Sequence, residues 1–96
     1  KHFNITGALT KEVLAAGDNE TVSSIWITNI HSSDDVTVDL YIEKKLTGKF
    51  YYLKGKSIPN AGYLQIKDIL ISSNQGNFGL YIKLNNADSA VDILMN

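Results

Sequence analysis

Polar and apolar positions alternate along much of this chain, most cleanly between residues 36 and 43. Val36, Val38, Leu40 and Ile42 fall on one side, and Thr37, Asp39, Tyr41 and Glu43 on the other. Successive side chains of a strand point to opposite faces, so this run predicts a half-buried strand. The run before it, through Val22, Ile25, Ile27 and Ile30, keeps no single phase. Val22 and Ile25 are three apart, which asks for a bulge or a strand buried on both faces near Ser23-Ser24. Between the two runs stands His31-Ser32-Ser33-Asp34-Asp35, rich in residues that close turns. Residues 21–43 are therefore expected to form a β-hairpin at the centre of an antiparallel sheet.

The remaining pattern is also one of short strands. His2–Thr6 reads as a β-prone arm, and residues 8–14 as a strand with Leu9, Val13 and Leu14 as its apolar members. A polar turn follows at 15–20, and a second turn is expected at 44–48. Phe50, Tyr51 and Tyr52 mark an aromatic strand over 49–53, of the kind that packs across a sheet face. Residues 54–57 are polar and read as a connection, and Pro59 holds Ile58 extended and breaks the chain. Leu64 and Ile66 alternate against Tyr63, Gln65 and Lys67; Ile69, Leu70 and Ile71 form a short buried piece; and 72–77 is the longest polar loop. Phe78, Leu80, Ile82 and Leu84 alternate again, and a turn at 85–88 leads to a last strand with Val91, Ile93 and Met95. Only 8–16 has a composition that also suits a helix. Seven strands with two shorter ones, separated by turn residues, predict an all-β fold: a single antiparallel β-sandwich of seven to nine short strands, immunoglobulin-like or jelly-roll-like.

Length sets the scale. Ninety-six residues allow one domain, expected to span 1–96. A chain of this size buries only about 60–65% of its unfolded surface, so contacts with partners would add useful stability. The net charge is −1 and every basic residue is lysine, which gives no field or guanidinium forks for nucleic acid. With no cysteine, neither a disulfide framework nor a thiolate metal site is available. No apolar run reaches the roughly 18 residues of a membrane helix, so no membrane partner is expected. The start at Lys1 is expected to reflect a trimmed or omitted segment.

Catalytic chemistry finds little to build on. His31 with Asp34 and Asp35 is the one cluster that could hold a cation, but its residues suit turn hydrogen bonds better than a rigid set of three or four ligands. Gly17-Asp18-Asn19-Glu20 resembles a fragment of a calcium loop without its alternating oxygen ligands. No serine stands in a Gly-x-Ser-x-Gly setting. Asp39 and Glu43 share a solvated strand face but stand more than about 10 Å apart along it, which does not suit a carboxylate pair for glycoside cleavage. The expectation is a non-enzyme without cofactor or metal. Aromatic residues are the better lead: the strand phases turn Trp26, Tyr41 and Tyr81 outward, and such side chains most often anchor interfaces. Phe3 and Ile5, on an N-terminal arm, are candidates for a second contact.

Two stretches carry a resemblance. Val13-Leu14-Ala15-Ala16-Gly17-Asp18-Asn19-Glu20-Thr21-Val22 leads through Ile25-Trp26-Ile27-Thr28-Asn29 to Asp35-Val36-Thr37-Val38-Asp39-Leu40-Tyr41. Tyr52-Leu53 leads through Ile58-Pro59-Asn60-Ala61-Gly62 to Tyr63-Leu64. Together with Leu80–Leu84 and Ala90–Ile93, they resemble the small β-sandwich virion structural proteins of tailed bacteriophages, of the marine and cyanobacterial phage type. The resemblance spans nearly the whole chain and rests on turn chemistry and alternation. It departs at Asn74-Gln75-Gly76-Asn77, where the family pattern has a Gly-Asp turn. It implies a virion-located head decoration, neck or tail-associated subunit. Such a subunit assembles with capsid or tail proteins and with itself as a homo-oligomer. The competing expectation is a carbohydrate-binding or adhesin-type sandwich that uses the outward aromatics as a platform for a surface glycan.

Overall fold

The computed structural model describes residues 1–15, 21–44, 48–67, 71–72, 78–85 and 90–96. The alternating runs become strands: β1 (His2–Thr6), β2 (Thr10–Leu14), β3 (Thr21–Val22), β4 (Ile25–Asn29), β5 (Val36–Lys44), β6 (Gly48–Ile58), β7 (Tyr63–Ile66), β8 (Ile71–Ser72), β9 (Phe78–Leu84) and β10 (Ala90–Met95). Among the described residues there is no helix, and Thr10–Leu14, where a helix was the competing reading, is extended. The eight longer strands form two four-stranded sheets, ordered β1-β10-β4-β7 and β2-β9-β5-β6; the two-residue β3 and β8 pair with each other. All pairings are antiparallel. The fold is an all-β sandwich.

The expected central hairpin is corrected. β4 belongs to the first sheet and β5 to the second, so residues 30–35 carry the chain across the sandwich instead of reversing it within one sheet. Excepting β3 and β8, the chain changes sheet at every connection but one, and the exception is the β5–β6 hairpin. β10 inserts between β1 and β4, and β9 between β2 and β5. That strand order is a jelly roll, the second of the two arrangements expected. The irregular phase at Val22 also finds its cause, which is neither a bulge nor two-sided burial. Val22 pairs with β8 in the small sheet, and the chain then bends so that the Ser23 and Ser24 amides both donate to the Asn96 carbonyl.

The core lies between the two large sheets. Ile5, Ile25, Ile27, Val91, Ile93 and Met95 from the first meet Leu14, Val36, Val38, Leu40, Leu80, Ile82 and Leu84 from the second. Fully burying each such aliphatic side chain is worth about 1.5–3 kcal/mol, the main driving force in a chain this short. The expected free arm is also corrected: β1 pairs with β10 along its whole length, and Ile5 is 4% exposed inside the core.

Residues 54–57, expected to be a connection, continue β6 as strand. The register with β5 shifts between Val38 and Leu40 and again between Leu40 and Tyr41. At the first shift Gly55 takes a φ of 65°, a conformation only glycine adopts freely, and its amide donates to Asp39 Oδ1 at 2.6 Å. Bulges of this kind let a strand keep pairing while an extra residue is absorbed. The expected turns at 16–20 and 45–47, most of the piece at 69–71, and the loops at 73–77 and 86–88 lie outside the described residues.

Candidate functional site

Strand alternation puts core residues on the inner faces, and what remains on the outer faces decides what the molecule can do. On the first sheet the registers align His2, Leu94, Trp26 and Gln65 in one row across the strands, and Asn4, Asp92, Thr28 and Tyr63 in the next. Trp26 and Tyr63 are diagonal neighbours, and their rings stack with centroids 4.4 Å apart and planes at 8°. The Trp26 indole Nε1–H donates to Thr28 Oγ1 at 3.1 Å, which holds the ring against the sheet. Tyr63 is 60% and Leu94 53% exposed. Asn4 Nδ2 donates to Asp92 Oδ1 at 2.8 Å. Beside this pair lies an open cavity of about 270 Å³, lined by His2, Asn4, Thr28, Asp92 and Leu94 among others.

On the second sheet one row runs Glu12, Tyr81, Tyr41 and Tyr51. Tyr41 stacks on Tyr81 at 5.5 Å and meets Tyr51 tilted at 5.2 Å. Lys49 Nζ lies 4.9 Å from the Tyr41 ring centre, and Lys54 Nζ 5.0 Å from that of Tyr51. The Tyr81 hydroxyl donates to Glu12 Oε2 at 2.8 Å. That hydrogen bond favours the neutral hydroxyl, and with burial and the negative charge of Glu12 it pushes the Tyr81 pKa up to about 12. Burial is the main cause of the raised Tyr41 pKa. Gly79 makes room for this pair, because a Cβ there would stand 3.0 Å from Glu12 Oε2 and 3.1 Å from the Tyr81 ring. Both outer faces thus carry ordered aromatic groups suited to non-covalent association.

A scan of protein-family models finds no match, and a search of curated proteins finds none either. Among solved structures the chain is similar to the Anabaena sensory rhodopsin transducer, with 11% identity over 99% of this chain and 94% of that one and a TM-score of 0.49. A likeness at this level carries no argument about function.

The sequence-predicted residues fall in different places. Trp26 and Tyr81 point outward and are partly exposed. Tyr41 points outward too, but Tyr51, Tyr81 and Lys49 enclose it and leave it 3% exposed. It therefore supports the aromatic row and offers no free ring. Phe3 is half-buried and packs on the core; Ile5 is inside it. Their expected role as anchors of a free arm is corrected, since β1 is a paired strand that turns both toward the interior. His31 organises its turn: Nδ1 accepts the Ser33 and Asp34 amides at 3.0 and 2.9 Å. Asp35 accepts the Asn60 amide. Among the described residues, no group of three or more His, Cys, Asp or Glu side chains converges on a cation-sized space.

Tyr63 and Leu94 were missed as surface candidates, although both sit in the polar phase of their strands. An apolar side chain among polar ones was the available signal. Asn29 was missed too, and it is the one polar side chain buried among the described residues.

Proposed function

We propose that this protein is a non-enzymatic structural subunit of a tailed-phage virion that works by protein–protein assembly, with itself and with capsid or tail subunits. The observation that carries the reading is the Trp26–Tyr63 stack with exposed Leu94 on the outer face of the first sheet. The pair is rigid and large, and it spends half-exposed apolar area on water. Aromatic side chains of this kind dominate binding energy when a partner desolvates them. The phage setting comes from the turn and alternation pattern of the sequence. Jelly rolls include both viral capsid and lectin domains, so the architecture speaks for the setting no more strongly than for its rival.

The test is light scattering on a sizing column over a wide concentration range, with wild type beside Trp26→Ser/Tyr63→Ser. Wild type is expected to associate as concentration rises. The variant is expected to stay folded by circular dichroism and to associate about 30-fold more weakly, the loss expected of a truncated hot spot. Association that ignores the double substitution would remove the reading.

A second reading is favoured by the cavity on the same outer face, lined by the Asp92 carboxylate, the Asn4 amide and the His2 imidazole and bordered by Thr28, whose hydroxyl accepts the Trp26 indole N–H. That mixture suits a sugar ring. A glycan screen distinguishes the two: saturable binding lost in Trp26→Ser/Tyr63→Ser, from a chain that stays monomeric, would favour a glycan-recognition module.

A further inference from the structure

The cavity on the outer face of the first sheet is a groove between two rows of side chains. His2 and Leu94 stand in one row, and Asn4, Asp92 and Thr28 in the other. Trp26 continues the first row on β4, and its indole donates to Thr28 in the second. The ring therefore crosses the interval between the rows and bounds the groove on its β4 side. At about 270 Å³ the space falls below the roughly 300–1,000 Å³ of pockets that hold drug-sized ligands. It has room for a single sugar-sized ring.

Its polar lining is paired, with hydrogen-bonding capacity left over. Asn4 Nδ2 donates to Asp92 Oδ1 at 2.8 Å across the β1–β10 pair, which holds both side chains in one orientation. Asn4 keeps a second amide proton and its carbonyl oxygen, and Asp92 keeps Oδ2 as an acceptor. The Thr28 hydroxyl accepts from Trp26 and so has its own proton to give. Donors and acceptors thus stand side by side. A metal ion or an ammonium group asks for acceptors alone, and an anion for donors alone. A hydroxyl uses both, since it donates and accepts at once. Two neighbouring hydroxyls use them best, one donating to Asp92 Oδ2 while the next accepts from Asn4. Leu94, 53% exposed, offers the apolar contact that suits the C–H face of a sugar ring.

We infer that this groove binds one neutral hexopyranose ring through a free vicinal diol. The diol lies on the Asn4–Asp92 pair, and the C–H face of the ring lies on Leu94 and the edge of Trp26. The inference rests on the glycan-recognition reading of this face and names the ligand. Acidic sugars are excluded, because a ligand carboxylate has no proton for Asp92 and meets a like charge there. The Asn4–Asp92 pair is ordered by its own hydrogen bond before any ligand arrives, so binding spends little on arranging it. A single ring brings few atoms, and its dissociation constant is expected to be about millimolar. The ring and a protein partner would compete for Leu94.

The experiment titrates the full chain, kept dilute, with the methyl glycosides of mannose, galactose, glucose and glucuronic acid, followed by NMR of backbone and side-chain N–H groups. At least one neutral glycoside is expected to saturate at about millimolar concentration and to shift the Asn4 side-chain amide and the Trp26 indole signal. Asn4→Ala/Asp92→Ala replaces two exposed side chains; it is expected to keep the fold and to bind roughly tenfold or more weakly. Asp92→Asn keeps the shape and removes the charge, and it is expected to admit the glucuronic acid glycoside. Two results would overturn this inference and leave the glycan reading standing. One is an acidic glycoside that binds wild type as tightly as the neutral ones. The other is binding that survives Asn4→Ala/Asp92→Ala but is lost in Trp26→Ser/Tyr63→Ser. Ethylammonium that shifts the same signals at lower concentration than any glycoside would overturn it in favour of a cationic partner. No shift from any glycoside would overturn it, and an empty glycan screen besides would remove the glycan reading with it.

Discussion

Asn29 ends β4 with its side chain turned inward, 2% exposed. Its Nδ2 donates to the carbonyls of Asp34 and Ile58, each at 2.9 Å, and its Oδ1 accepts the His31 amide at 2.8 Å. One amide therefore ties the crossing loop to the end of β6. Asn29→Ala would leave buried backbone groups without partners, at a cost of about 1–3 kcal/mol. Urea denaturation checks this, and an unchanged midpoint would show that water replaces the amide. Tyr81 gives a pH signature. Its folded pKa of about 12 lies above the ordinary 10.0 because Glu12 accepts its proton in a hydrogen bond. The neutral hydroxyl therefore stabilises the fold fully below the lower value, and that contribution is lost as pH rises through the higher one. Between those limits wild type is expected to lose stability more steeply than Tyr81→Phe, read as denaturation midpoint against pH. Parallel curves would exclude the Glu12 bond as a source of stability. At this scale the alternation was informative: it placed Trp26, Tyr63 and Tyr81 outward. It could not show that Tyr41 would be enclosed, because that depends on Tyr51 and Lys49 arriving from another strand.

β6 shows where element reading failed and why. Residues 54–57 have no apolar alternation, and a polar stretch with a glycine reads as a turn. An edge strand with exposed faces does not need apolar alternation, so the pattern was silent about a strand that is there. Gly55 marks the bulge, and its φ of 65° is costly for any residue with a Cβ. Space is not the obstacle, since nothing stands within 4 Å of a Cβ built there. Gly55→Ala is accordingly expected to cost about 1–2 kcal/mol from backbone strain alone, measured by thermal or urea unfolding. A neutral result would mean that the bulge relaxes into another register. The hairpin expected over 21–43 failed differently. Both of its strands exist, but a connection as short as 30–35 serves equally to reverse a chain within a sheet or to cross between two.

As a whole, the molecule is two four-stranded sheets closed over one aliphatic core, with its unusual surface concentrated on the Trp26 face and the β5–β6 hairpin. The sequence by itself determined that the chain is all-β and where most strands lie, because alternation follows from the two-sided geometry of each strand. It also determined which side chains of β5, β7, β9 and β10 point away from the core, for the same local reason. Only the tertiary structure decided that the strands follow a jelly-roll order, that β1 is a core strand, and that Trp26 meets Tyr63 while the hairpin lysines settle over aromatic rings. Those are pairings between residues far apart along the chain. They depend on which sheet each strand joins and in what register, and the free energy that selects them comes from packing shared by many residues at once.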